Sequence, residues 1–245
     1  MPITLPLLSA DPQAPFPPVT AALRVPDGLL AMGGDLSVAR LLKAYANGIF
    51  PWFSEGEPIL WWSPDPRMVF RTDGVKLSSR FRRQLRGSAW TIRADTAFAG
   101  VIRACAAPRH DQPGTWISPA MQAAYIALHR AGHAHSVEVF DGARLVGGIY
   151  GVAIGRMFFG ESMFSAESGG SKAALAALAG FLREHQCPLI DAQVENPHLR
   201  SLGAERMTRD AFMEAIHPLL AQPGLPASWT TGFGLRTACR LGNPG

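Results

Sequence analysis

The chain has 245 residues, 47% of them hydrophobic and 17% charged, which excludes a disordered polypeptide and allows one large domain or two small ones. Its formal net charge is +4, from 23 basic and 19 acidic residues, and no stretch approaches the roughly 20 apolar residues needed to span a bilayer. Cys105, Cys187 and Cys239 form no CxxC and no pattern with histidine, so they are expected as reduced thiols in a cytoplasmic protein.

Residues 1–35 are rich in Pro and Gly and read as irregular; the opening MPITLPLLSADPQAP lacks the basic start of a signal peptide. GDLSVARLLKAYANG predicts a helix. Asp35 or Ser37 caps it, Leu41, Leu42 and Tyr45 give it an apolar face, and Gly48 stops it. Prolines 51, 58, 64 and 66 interrupt the next segment and suggest a boundary near residue 65, hence domains at 1–65 and 66–245. Between Arg67 and Arg86 stand seven basic residues and one acid, Asp73. Three tryptophans lie just upstream, and basic plus aromatic surface suits the single-stranded end of a nucleic acid.

AWTIRAD predicts a strand at 89–94, and TAFAGVIRACA and SPAMQAAYIALHRAGH predict helices. Residues 135–164 read as an antiparallel meander whose first turn is Asp141-Gly142. A helix is expected from Ser171, with Leu175, Leu178 and Leu182 on one stripe. PLIDAQV is then a strand, and NPHLRSLGAE begins a helix that stops at Gly203. This is a mixed α/β (α+β) order. It resembles the acyl-CoA N-acyltransferase superfold, in which a strand, a Gly-rich turn and a helix hold the acyl donor and the next strand splays away to open the site.

The chemistry concentrates near the end of the meander. Glu161 shares strand parity with Phe159 and Met163, and a carboxylate in that apolar setting needs hydrogen-bond donors. In LIDAQV, Asp191 and Gln193 alternate onto one face, roughly 6–7 Å apart. Asp191 is suited to orient or deprotonate an amine, and Gln193 to hold a carbonyl or relay a hydrogen bond. Met157, Phe158, Met163, Leu178 and Ile190 are candidates for the walls of an apolar pocket. Met163 is favoured because an unbranched thioether adapts to different guests. The SGGS turn at 168–171 is a candidate anion cradle, although Glu167 beside it would repel the pyrophosphate of acetyl-CoA. His133 and His135 lack a third ligand, so no metal site is expected.

Taken together, GGDLSVARLLKAYANGIFPWF, ILWWSPDPR, GTWIS, GHAHSVEV, LVGGIYGV, FFGESMF and LIDAQV…SLGAE make the chain resemble the leucyl/phenylalanyl-tRNA–protein transferases, from about residue 16 to 235. The resemblance implies transfer of leucine or phenylalanine, with methionine a further candidate, from aminoacyl-tRNA to proteins beginning with Arg or Lys. The product is marked for degradation. No metal or cofactor is implied, nor any membrane, and a monomer is expected. Trp52, Trp116, Tyr45 and Tyr125 match positions associated with the terminal adenosine. Asp191, Gln193 and Glu161 match the catalytic positions, and Met163 and Phe158 match walls of the amino-acid pocket. Leu178 and Ile190 are expected beside them. Ile149 stands where the family often has Met, so the rear of the pocket is expected to differ. Lys76, Arg80, Arg82, Arg83 and Arg86 match the segment that contacts the tRNA backbone. Readings outside the family are an acetyl-CoA-dependent N-acetyltransferase of small molecules and a non-catalytic RNA-binding module.

Overall fold

A computed structural model of the chain describes residues 5–108 and 115–243. Near the N-terminus, β1 (Leu7–Leu8), β2 (Leu29–Gly33), β3 (Phe50–Pro51) and β4 (Leu60–Trp62) form a sheet in the order β1-β2-β4-β3. Helix α1 (Val38–Ala46) links its second and third strands. The larger sheet contains β5 (Arg67–Arg71), β6 (Thr91–Ala94), β7 (Ala134–Asp141), β8 (Arg144–Ile154), β9 (Met157–Ser165), β10 (Leu189–Gln193), β11 (Glu205–Met207) and β12 (Arg236–Thr237). Its order is β11-β5-β10-β9-β8-β7-β6-β12, antiparallel except for the β9–β10 pair. Helices α2 (Ser79–Arg86), α3 (Phe98–Ala106), α4 (Pro119–Arg130), α5 (Gly170–Glu184), α6 (Pro197–Ser201), α7 (Arg209–Leu220) and α8 (Trp229–Phe233) complete the chain.

Helix starts follow local chemistry. Ser37, Ser78, Ser118 and Thr208 each accept a backbone N–H from the first turn of their helix, satisfying a donor the helix cannot. Alternation along the long strands then feeds two cores. Tyr150 and Val152 of β8 pack with α1, α3, α4 and α7, while Val146 and Ile149 pack with α2, α5 and α8. The first core also contains Leu8, Leu30, Leu41, Phe50 and Trp61, so both sheets share one buried cluster. Alanines let α5 lie low on the sheet. A Cβ on Gly147 would stand 2.4 Å from the backbone of Gly170, so only glycine permits this approach.

The stretch from Arg67 differs from its reading as a basic segment. Its first five residues are β5, hydrogen-bonded between β10 and β11. Val69 and Phe70 enter opposite cores, and Arg67 is buried. The exposed basic run therefore begins after it.

Candidate active site

Strands β9 and β10 pair at Ile190–Phe158 and Asp191–Phe159. Beyond that point a cavity of about 1020 Å³ opens between them, lined by Glu161, Met163, Gln193, Trp52 and Trp116 among others. The sheet contributes the floor, and the segment after α1 contributes one wall.

Glu161 sits in a bulge. The β8–β9 register passes from Tyr150–Ser162 to Gly151–Gly160, leaving Glu161 as the extra residue. Phe159 therefore packs in one core and Met163 against the other, and the expected shared parity of these two fails at the bulge. The Glu161 carboxylate accepts hydrogen bonds from the hydroxyls of Tyr45 (2.6 Å) and Tyr125 (2.7 Å) and from the Gln193 amide (2.7 Å). The two tyrosine oxygens also lie against each other, each with its single proton directed at Glu161. Burial pushes Glu161 up from 4.5 to about 7; the three donors pull it back in part, and the charge of Asp191 adds to the rise. Burial, followed by the charge of Glu161, holds the hydroxyls of Tyr45, Tyr125 and Tyr150 well above the usual phenol value.

Tyr45 and Tyr125 thus have a place unlike the expected one. Both are 0% exposed, and neither ring offers a face to a nucleoside. They hold Glu161 from below.

Gln193 has φ +59°, a left-handed conformation uncommon for a residue with a side chain, at a register shift in β10. Its backbone N–H donates to Asp191 Oδ1 at 2.9 Å. Asp191 in turn receives Arg67 Nε at 2.8 Å and Nη2 at 2.7 Å. The Arg67 and Asp191 side chains are 1% and 0% exposed. The carboxylate expected to meet an amine is therefore paired with Arg67; Asp191 and Gln193 both border the cavity, and the Gln193 amide is the group that meets Glu161.

Ile149 and Met163, direct partners across β8 and β9, line the cavity with Ile190. Phe158 and Leu178 do not; both are buried in the core behind it, at 1% and 0% exposure. Phe70, Leu175 and Leu199 take their place in the lining. Leu175 shares the stripe of Leu178 but lies one turn nearer the helix start, a difference of depth that periodicity does not carry.

Two amides of the SGGS turn are already engaged. Gly170 N–H donates to the Glu167 carbonyl, and Ser171 N–H donates to Ser165 Oγ at 2.9 Å. Glu167 itself pairs with Arg144 at 2.7 Å. Gly170 serves the close packing of α5 on β8, and Gly169 packs against the Phe81 ring.

Trp52 is 42% exposed, its ring 5.4 Å from that of Trp62, whose indole N–H donates to the Trp52 carbonyl at 2.6 Å. Trp116, at the other side, is half-buried. Gly114 of the GTWIS motif lies outside the described residues. Lys76, Arg80, Arg83 and Arg86 are exposed and Arg82 half-buried. A second groove, of about 730 Å³, joins Arg82, Arg83 and Arg86 to Arg183 and Arg240, two residues too far along the chain for a local charge count to associate with them.

Among the described residues, no group of three or more His, Cys, Asp or Glu is placed to hold a metal, and no helix is long and apolar enough to cross a membrane.

The family models and the relatives agree with one another. The leucyl/phenylalanyl-tRNA protein transferase model matches residues 69–217, and the model of that family's N-terminal domain matches 34–65. The leucyl/phenylalanyl-tRNA–protein transferase of Xanthomonas axonopodis pv. citri is 69% identical over 237 residues, covering 96% of this chain and 95% of the relative. Its counterpart from Xylella fastidiosa is 64% identical over 229 residues, covering 93% and 94%. The solved structure of FemX superposes with a TM-score of 0.45 at 12% identity, covering 69% of this chain and 66% of its own. With two family models spanning most of its length and relatives matched almost end to end, the chain belongs to the leucyl/phenylalanyl-tRNA–protein transferase family.

Proposed function

We propose that the chain moves leucine or phenylalanine from its tRNA to the N-terminal amine of proteins that begin with Arg or Lys, and so marks them for degradation. The observation that carries this reading is the cavity itself. An exposed tryptophan and an apolar recess lie on either side of a near-neutral carboxylate and an amide. Those are the groups that an ester of an apolar amino acid with a terminal adenosine requires.

In this reading the adenine stacks on Trp52 and Trp116, and the amino-acid side chain enters the recess of Met163, Ile149, Ile190 and Leu175. Because Gln193 donates its amide N–H to Glu161, its amide oxygen is left to accept from the incoming amine. The amine nitrogen attacks the ester carbonyl carbon. A C–N bond forms, the C–O bond to the ribose breaks, and a proton passes from the nitrogen to the departing hydroxyl. Glu161, pushed up to about 7, has the basicity suited to hold that proton in transit. Basic residues of α2 steer the tRNA backbone toward the cavity. One copy of the chain supplies all of these groups, and no disulfide links Cys105, Cys187 and Cys239, which supports a monomer acting in a reducing, cytoplasmic setting.

The test is direct. Radiolabelled leucyl-tRNA is mixed with the chain and a protein bearing N-terminal Arg, beside an otherwise identical protein bearing N-terminal Asp. Label is expected in the first protein only; label in neither, or equally in both, contradicts the reading.

A further inference from the structure

Arg67 is the most completely engaged charged side chain near the cavity, and the transfer chemistry leaves it without a part. Its Nε and Nη2 form a two-point bond to Asp191, and its Nη1 donates to the Gly48 carbonyl at 2.9 Å. The guanidinium lies 4.9 Å from the centre of the Phe50 ring and 4.7 Å from that of Phe212, on one side the start of β3 and on the other α7. A planar fork with several donors is the one side chain able to make all of these contacts at once.

The two anchors lead in different directions. Gly48 precedes Phe50, Pro51 and Trp52, the wall of the cavity that comes from the N-terminal sheet. Asp191 leads to Gln193, whose left-handed backbone is accompanied by the hydrogen bond from its N–H to Asp191 Oδ1. One buried guanidinium therefore spans both sides of the site. Without it, Asp191 would be a buried carboxylate facing its neighbours unpaired, and the bond that holds Gln193 would have no fixed partner.

We propose that Arg67 is a positioning residue for the transfer reaction: it sets Gln193, through Asp191, at a fixed distance from Trp52, through Gly48. Asp191 then acts as the middle link of this brace. The inference rests on the proposed transfer function but assigns a role to a residue outside the cavity's reactive groups.

Two variants test it. Arg67→Lys keeps the charge and loses the two-point geometry. Arg67→Met combined with Asp191→Leu removes both charges while keeping the volume, so that neither charge is left buried alone. Each is measured for melting temperature, affinity for a leucyl-adenosine analogue, and rate at saturating leucyl-tRNA. Both are expected to lower kcat by about 10²-fold, the cost of a misplacement near 1 Å. The affinity for the analogue should stay within about 3-fold of wild type, since every group that holds it is still present. Adding Gln193→Ala to Arg67→Lys should cause little further loss, because both act through one unit. A kcat within about 3-fold of wild type in both variants overturns the proposal. So does an affinity that falls in step with kcat, or a loss that multiplies fully with that of Gln193→Ala, either of which marks a merely structural residue. Wild type is run alongside. If it transfers nothing, the functional reading fails and the brace with it; if it transfers and the variants match it, the brace alone fails.

Discussion

The rim and the floor of the cavity are built on opposite plans. At the rim, Trp52 is 42% exposed, and its ring is tilted against that of Trp62. On the floor, Glu161 receives three hydrogen bonds, and the groups behind it are closed in by Tyr45, Tyr125 and the Arg67–Asp191 pair. A stacking surface gains from being open, because every base has a face and the cost of leaving it in water is small. Groups that guide a proton gain from being fixed, because reorganisation during the reaction costs rate. The difference predicts that damage to the floor slows chemistry and that damage to the rim weakens binding.

The largest effect is expected on the floor. Gln193→Ala and Glu161→Gln should each reduce kcat by about 10²–10⁴-fold with little change in donor affinity. Because Glu161 is a raised acid, near 7, its carboxylate form fills as pH rises, so the wild-type rate should climb through that region and level off above it. A later rise from the acceptor's own amine, with an ordinary value of about 7.7–8.0, should persist in Glu161→Gln, whereas the first should vanish. Single-turnover rates from about pH 5.5 to 9, a range that brackets both titrations, check this.

Next in size are the tryptophans. Trp52→Ala or Trp116→Ala should weaken donor binding by about 1–3 kcal/mol, or roughly 5- to 150-fold, measured by titration with leucyl-adenosine. The recess should contribute a similar range of discrimination. Leucine and phenylalanine branch at or beyond Cγ, so if the proposed recess selects them by shape, isoleucyl-tRNA should react about 1–3 kcal/mol less favourably in kcat/KM than leucyl-tRNA. The basic helix lies outside both regions and should have the smallest effect on a short donor. Arg80→Glu with Arg83→Glu should flatten the salt dependence of tRNA binding by about one unit of slope for each phosphate no longer neutralised. Leucyl-adenosine affinity should be unchanged within about 2-fold, because that donor carries no phosphate for the helix to hold.

How much of this the sequence makes legible depends on the range of the interaction. Helix starts, the Asp141-Gly142 turn and the α5 stripe depend on residues within a few positions, and the structure contains them as expected. Glu161 and Gln193 stand out as polar groups on apolar strands, and the structure joins them. What escapes is what depends on bulges and on distant pairing. The bulge at Glu161 reverses the parity of Met163, and alternation carries no sign of it. Arg67 and Asp191 are 124 residues apart, so a run of arginines conceals one that is buried. Tyr45 and Tyr125 match motif positions linked to the nucleoside, yet both are buried and their hydroxyls donate to the Glu161 carboxylate.

The division between rim and floor is tested most directly by one paired experiment. Leucyl-adenosine affinity and the saturated single-turnover rate of leucine transfer are measured for Trp52→Ala and Gln193→Ala together. A crossed pattern is expected: Trp52→Ala loses affinity but keeps its rate within about 3-fold, and Gln193→Ala keeps affinity but loses about 10²-fold or more in rate. If both variants lose affinity and rate in equal proportion, the cavity is not divided in this way, and the account is wrong.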